Sequence, residues 1–139
     1  PLNPGDKVTV GPLAFIATPT QHDCDAIGLR LETPLGAIGY TSNTKYFPEL
    51  VDAFKGCKII IADVLRPGAE KWPTHFCSED AATLFRETKP QIGIIAGFGL
   101  KMLKANPVWE ARDISKKAGI TVYAAREGMK VDLNTLFVS

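Results

Sequence analysis

Two loops hold most of the reactive side chains in this sequence. "TPTQHDCDA" carries His22, Asp23, Cys24 and Asp25, and "WPTHFCSEDA" carries His75, Cys77, Glu79 and Asp80. His22 and His75 are the only histidines, and imidazole is the side chain that ligates metals and moves protons near neutral pH. Successive residues of an extended chain face opposite ways, so "HDCD" is not expected to build a complete metal site by itself. Cys24 reads as an unreactive thiol, and Asp23 and Asp25 read as loop caps. Taken alone, His75 reads as a structural residue touching Ser78 or the backbone of the helix that follows. A third turn, Gly97-Phe98-Gly99 in "IIAGFGLKML", leaves a buried strand for a helix. Alternating α/β folds place chemistry at such strand ends, yet this turn carries no side chain able to perform any.

Composition bounds the rest. A chain of 139 residues with 45% apolar and 22% charged residues is an ordinary globular domain with enough length for a core. A net charge of +1 gives no field for nucleic acid or anionic lipid. Lys101, Lys104, Lys116 and Lys117 read as the solvated faces of amphipathic helices. No apolar run approaches a membrane span, and "PLNPGDKV" lacks the layout of a signal peptide. Three cysteines, odd in number and without C-x-x-C spacing, point to free thiols in the cytoplasm.

Glycine and proline divide the chain. "KVTV" and "LAFIA" read as strands around Gly11-Pro12, and "AIGLRLE" and "GAIGYTS" as a hairpin around Thr33-Pro34-Leu35-Gly36. Tyr46 to Phe54 reads as a short helix with Pro48 in its first turn. "CKIIIAD" and "QIGIIAG" are continuous apolar strands, covered on both faces. Ser78 is expected to cap a helix running to Thr88. A short helix starts at Leu100, and Pro107 opens another that Gly119 closes. "ITVYAA" is the next strand, and "MKVDL" and "TLFV" finish the chain. Antiparallel strands followed by alternating helices and strands predict one α/β domain over 1–139: a layered mixed sheet with helices mainly on one face.

"ATPTQHDCDAIGLRLETPLGAIGYTSNT" resembles the middle of metallo-β-lactamase-fold hydrolases, in the branch of the tRNA 3′-processing endonuclease RNase Z. "THFCSEDA" resembles that branch's His-Ser-Thr-x-x-Glu-Ala segment, with His75, Asp80 and Ala81 in matching places. "IIAGFGLKML" resembles its Leu-Thr-His-Phe-Gly turn, and "YAAREGMKVDL" its closing Ala-x-Asp-Gly-Met stretch. The likeness runs from Val8 to Leu133 and is to the C-terminal half of the αββα sandwich. The His-x-His-x-Asp-His segment of the first half has no counterpart in this sequence.

The resemblance implies a site and its erosion. His22 matches a metal-binding histidine. The position of the aspartate that bridges two metals is Asn43, and that of another ligating histidine is Gly97. His75 matches a residue that contacts the scissile phosphate. Zinc generally needs three or four protein ligands, so no metal is expected in the isolated chain, and zinc is expected only if a partner completes the site. The implied function is a degenerate half-domain, not catalytic alone, acting by association as a homodimer or with a first-half chain. The alternative is the C-terminal component of a metal-dependent phosphodiesterase-like hydrolase. Phe15, Leu29, Leu31, Ile38 and Tyr40 are the candidates for an exposed apolar sheet face. If Asn43 and Gly97 are former ligand positions, Asp at 43 and His at 97 would rebuild a three-ligand shell around His22.

Overall fold

The computed structural model describes residues 1–139. The first four strands, β1 (Lys7–Val10), β2 (Leu13–Thr18), β3 (Gly28–Glu32) and β4 (Ala37–Tyr40), form an antiparallel meander. The turn at Thr33-Pro34-Leu35-Gly36 closes with the Gly36 N–H donating to the Thr33 carbonyl at 3.1 Å. From β4 onward the pairing is parallel, through β5 (Cys57–Arg66), β7 (Ile92–Ala96) and β8 (Thr121–Ala124). A two-residue strand, β6 (Phe76–Cys77), pairs with the far end of β5. The sheet order is β1-β2-β3-β4-β5-β7-β8. The helices are α1 (Glu49–Phe54), α2 (Ser78–Thr88), α3 (Leu100–Ala105) and α4 (Pro107–Ala118). None is long and apolar enough to cross a membrane.

The main core lies between the helices and one face of the sheet. Ile60, Ala62, Val64 and Ile95 meet Leu50, Phe54, Leu84, Phe85, Met102 and Ile114 there. The opposite face is covered differently along its width. Ile59, Ile92 and Ile94 lie under the C-terminal segment, through Met129, Val131, Leu133, Leu136 and Val138. That segment folds back on itself at a bridge from Val131 to Val138, with Lys130 and Ser139 exchanging backbone hydrogen bonds at 3.0 Å. The layered mixed sheet with helices mainly on one face is therefore the observed architecture.

Three local expectations are corrected. Helix α1 begins at Glu49, not Tyr46, and Pro48 is its N-cap; a residue before proline is driven out of the α region, so Phe47 cannot belong to the helix. Ser78 is the first residue of α2 rather than its cap. Cys77 takes the cap position, and its N–H donates to the Asp80 carboxylate at 3.0 Å. Strand β6 escaped notice because two residues give no periodicity to read.

On the side of the sheet away from the helices, the register aligns one row through Val8, Phe15, Leu31, Ile38 and Ile59, and another through Ala17, Leu29, Tyr40 and Ile61. The five residues expected on an apolar face thus share that face. Phe15, Leu29, Leu31 and Ile38 are half-buried and Tyr40 is exposed; of the five, Ile38 packs against the cluster under the C-terminal segment, and the rest leave the first half of the sheet partly open.

Helix and sheet approach closely at Gly93, where an added Cβ would stand 2.6 Å from the Phe85 ring. Gly93→Ala is expected to destabilise the chain by about 1–3 kcal/mol through overpacking. Lowered urea midpoints for Gly93→Ala, largely recovered by adding Phe85→Leu, would check the contact.

Candidate functional site

β2, β4, β5 and β7 all point the same way, because the meander reverses twice between β2 and β4 and the later pairs are parallel. Their C-terminal ends therefore meet at one edge of the sheet. His22 follows β2, Asn43 follows β4, Asp63 lies near the end of β5 and Gly97 follows β7.

Backbone stitching joins the first two loops. The Gln21 N–H donates to Thr44 Oγ1 at 2.8 Å, and the Lys45 N–H donates to the Gln21 carbonyl at 3.1 Å. Thr41 Oγ1 in turn accepts from the Asp63 N–H at 3.1 Å. Asn43 is exposed within this seam. A cleft of about 420 Å³ opens beside His22, walled by Thr20, Gln21, Lys45, Pro73 and Thr74, with no hydrophobic lining.

His75 arrives through β6. Phe76 pairs with Val64, which carries His75 to the stretch of β5 that holds Asp63. A bridge between Trp72 and His75 and the Arg66 guanidinium 4.3 Å over the Trp72 ring brace the loop. The structure brings the two histidines together, with ring centroids 5.0 Å apart at 78°. His75 Nδ1 lies 2.9 Å from Thr74 Oγ1. Of the two contacts expected for His75, Ser78 or the backbone, the one with Ser78 is not formed, since the Ser78 hydroxyl donates to Glu110. Burial pushes the His75 imidazole below its ordinary range, His22 adds to that, and Asp23 and Asp63 pull the other way.

His22 is the more constrained of the pair. Its side chain is 10% exposed, and Nε2 is buried with no hydrogen-bond partner. The chain bends at this loop rather than alternating, so the donor atoms of His22, Asp23 and Cys24 lie within 4.8 Å of one another. Side-chain alternation does not hold here. Asp23 pairs with His22 instead of capping the loop, with Oδ1 2.7 Å from Nδ1. Cys24 Sγ is 3.2 Å from the same nitrogen. Two neighbours ask opposite things of Nδ1: the carboxylate favours a proton there, while the Cys24 N–H at 3.4 Å favours a lone pair. The shorter, charged contact prevails. That leaves Nε2 as the bare nitrogen, the arrangement in which a carboxylate orients a metal-ligating histidine.

The sequence does not single out Asp63, and it offers Tyr40 only as a residue of the apolar face. The Tyr40 hydroxyl donates to Asp63 Oδ2 at 2.8 Å, and the Asp63 side chain lies across Gly97. A Cβ on Gly97 would meet Asp63 Cγ at 2.9 Å and Oδ1 at 3.0 Å, and Gly97 has φ +67°. A side chain at 97 is therefore blocked by both space and backbone. An acidic residue ending a buried run, "IIIAD", was the available signal.

Judged as zinc donors, these residues do not make the two-ion site that the family resemblance implies. His22 fits a ligand, but Asn43 is a neutral amide and Gly97 offers nothing. The side chains themselves can orient an imidazole, hold a carboxylate in place and carry a proton on His75.

Burial first, and the Asp63 bond second, push Tyr40 up to about 12. A folded-state value above the unfolded one contributes stability below the unfolded tyrosine pKa of about 10 that is lost as pH rises through the folded value. Tyrosinate absorbance, read as wild type minus Tyr40→Phe, should show this group titrating near 12. Asp63→Asn should bring it down part of the way. A Tyr40 titration unmoved by Asp63→Asn would contradict the contact.

Comparison with known proteins places this geometry. Residues 1–96 match the family model described as the beta-lactamase superfamily domain. An uncharacterized protein of Methanocaldococcus jannaschii is 42% identical over 135 residues, which is 95% of this chain and 50% of that protein. The chain thus spans about half the length of the curated relative it matches. Among solved structures, the metallo-beta-lactamase fold protein YhfI from Bacillus subtilis superposes with a TM-score of 0.81 at 16% identity, covering 99% of this chain and 54% of that one. A metallo hydrolase of the archaeon Ignicoccus hospitalis gives 0.72 at 14% identity, covering 91% of this chain and 57% of that one. At those identities the two structures speak to fold alone, and with the family match they make the chain a member of the beta-lactamase superfamily with the metallo-β-lactamase fold.

Proposed function

We propose that the chain acts as one half of a metallo-β-lactamase-type protein, by association, and does not catalyse alone. The observation that carries this reading is the apolar sheet face, on which Val8, Phe15, Leu31 and Ile38 lie in one registered row. A sheet of this kind buries such a face against another layer. The partner that fits is a second apolar sheet: a chain carrying the His-x-His-x-Asp-His half, or a second copy of this one. The solved structures it resembles are about twice its covered length, which accords with a missing layer.

A second reading is favoured by the buried, partnerless Nε2 of His22. Here the chain is the C-terminal component of a metal-dependent hydrolase, with phosphodiester chemistry of the RNase Z-like kind. His75, held 5.0 Å from His22 between ring centroids, would then face the scissile group, and the missing donors would come from the partner half. Both readings require association first.

Sedimentation at micromolar concentration, alone and mixed with a polypeptide carrying the first half, tests that requirement. We expect a dimer in at least one arm, with an interface of roughly 1,200–2,000 Å² or larger. Phe15→Lys should weaken it at least about tenfold, because it buries a charge at the centre of the contact. A chain that remains a monomer in both arms would contradict the proposal.

A further inference from the structure

We infer that the outer face of α3 and α4 is a docking surface for an acidic, amphipathic segment of another protein. It lies on the helix layer, whereas the association proposed above uses the opposite face of the sheet, so the two contacts are independent. Leu100 is 78% exposed, Leu103 55%, Val108 53% and Trp109 68%. Large apolar side chains exposed singly are ordinary on a protein surface, but several on one short stretch mark a contact site.

Helical geometry turns these residues away from the core. At about 3.6 residues per turn, buried Met102 leaves Leu100 nearly opposite it on α3 and Leu103 to one side. In α4 the buried residues are Ala111, Ile114 and Ala118, which puts Trp109 on the far side of the helix. A helix that is apolar on both faces is one that is covered on both, and the sheet covers only the inner one.

The charges around this face select the cover. Between Leu100 and Lys117 stand five cations and two acids, while the whole chain nets +1, so the remainder of the chain is net acidic. Both acids are already engaged. Glu110 accepts from the Gly68 N–H at 2.9 Å and from the Ser78 hydroxyl, and Asp113 pairs with Lys117 at 2.9 Å. Lys101 is held by Glu70, but Lys104, Arg112 and Lys116 pair with no acid and are exposed. Arg112 and Lys116 follow Trp109 by three and seven residues, which sets them on its side of α4. Carboxylates are what this face lacks.

Its relief suits side chains. A recess of about 350 Å³ lies among Leu65, Arg66, Gly99, Leu100 and Lys101, and another of about 280 Å³ among Trp109, Arg112, Asp113 and Lys116. Each joins an exposed apolar side chain to two cations, a wall for an apolar group with a carboxylate beside it. Such recesses favour a protein partner over a flat bilayer. The aliphatic Leu100, Leu103 and Val108 offer no ring for a nucleobase to stack on. A second copy of this chain is disfavoured, since two-fold pairing of this face would set its unpaired cations against one another.

Selection from a phage-displayed library of random peptides on the intact chain tests the inference, with circular dichroism confirming the fold of every variant. The selected peptides should be enriched in Asp and Glu beside large apolar residues. Trp109→Ala, and separately Arg112→Glu with Lys116→Glu, should each weaken their binding at least about tenfold, as expected for an anchor and its charged surround. These three positions are exposed, so binding is expected to fall with the fold intact. Phe15→Lys, on the sheet face, should leave binding unchanged; an equal loss there would place the peptides on the sheet and overturn the inference. Peptides without acidic enrichment, peptides indifferent to the helix substitutions, or no peptides at all would also overturn it. Cosedimentation with phosphatidylserine vesicles, or binding of oligouridylate, that is lost in Trp109→Ala while no acidic peptide is selected would overturn it in favour of a membrane or a nucleic acid.

Discussion

β5 is the strand on which everything else in this fold depends. It pairs in parallel with β4 on one side and β7 on the other, and its far end also carries β6. Parallel pairing of a buried strand leaves its backbone groups satisfied only if both neighbours are present. That demand aligns the ends of β4, β5 and β7 at one edge of the sheet. Ile60, Ala62 and Val64 are meanwhile fully buried on the helix side, which turns the alternate residues Ile59, Ile61 and Asp63 to the other face. The site is a by-product of satisfying one strand: its end must carry Asp63, its neighbour's turn must pass beneath Asp63, and β6 must deliver His75.

The elements that define the fold were legible because their signals are local. Apolar runs marked β5 and β7, Ser78 marked the start of α2 within a residue, and Pro107 with Gly119 bracketed α4 within a residue of its observed ends. The side-chain geometry was not local. His22 and His75 come together through β6, a strand too short to leave a pattern. Asp63 read as the end of a strand because its partners, Tyr40 and Gly97, lie in different segments. Asp23 reads as a loop cap because "HDCD" gives no hint that the chain bends there and brings Oδ1 to His22 Nδ1. Ser78 yields the capping place to Cys77, whose extended backbone and reciprocal bonds with Asp80 form the capping box.

Membership in the beta-lactamase superfamily and the crevice at the strand ends pull the functional argument in two directions that the apolar face reconciles. The donors are too few for the two-ion chemistry of the fold, yet His22 retains a buried, bare nitrogen and His75 sits beside it. A layer on the open face would cover both the sheet and the crevice, since Tyr40 and Asp63 belong to that same face. On the proposed association, burial of Phe15 and Leu31 and closure of the crevice beside His22 would be one event.

The tautomer of His22 tests this account most directly. Long-range proton–nitrogen correlation spectra of the imidazole at neutral pH distinguish a protonated Nδ1 from a protonated Nε2. The account requires the proton on Nδ1, against Asp23, with Nε2 unprotonated, and requires Asp23→Ala to disturb that preference. A His22 ring protonated on Nε2 in the folded chain would contradict it, because the buried nitrogen would then be a donor without an acceptor and no ligand position at all.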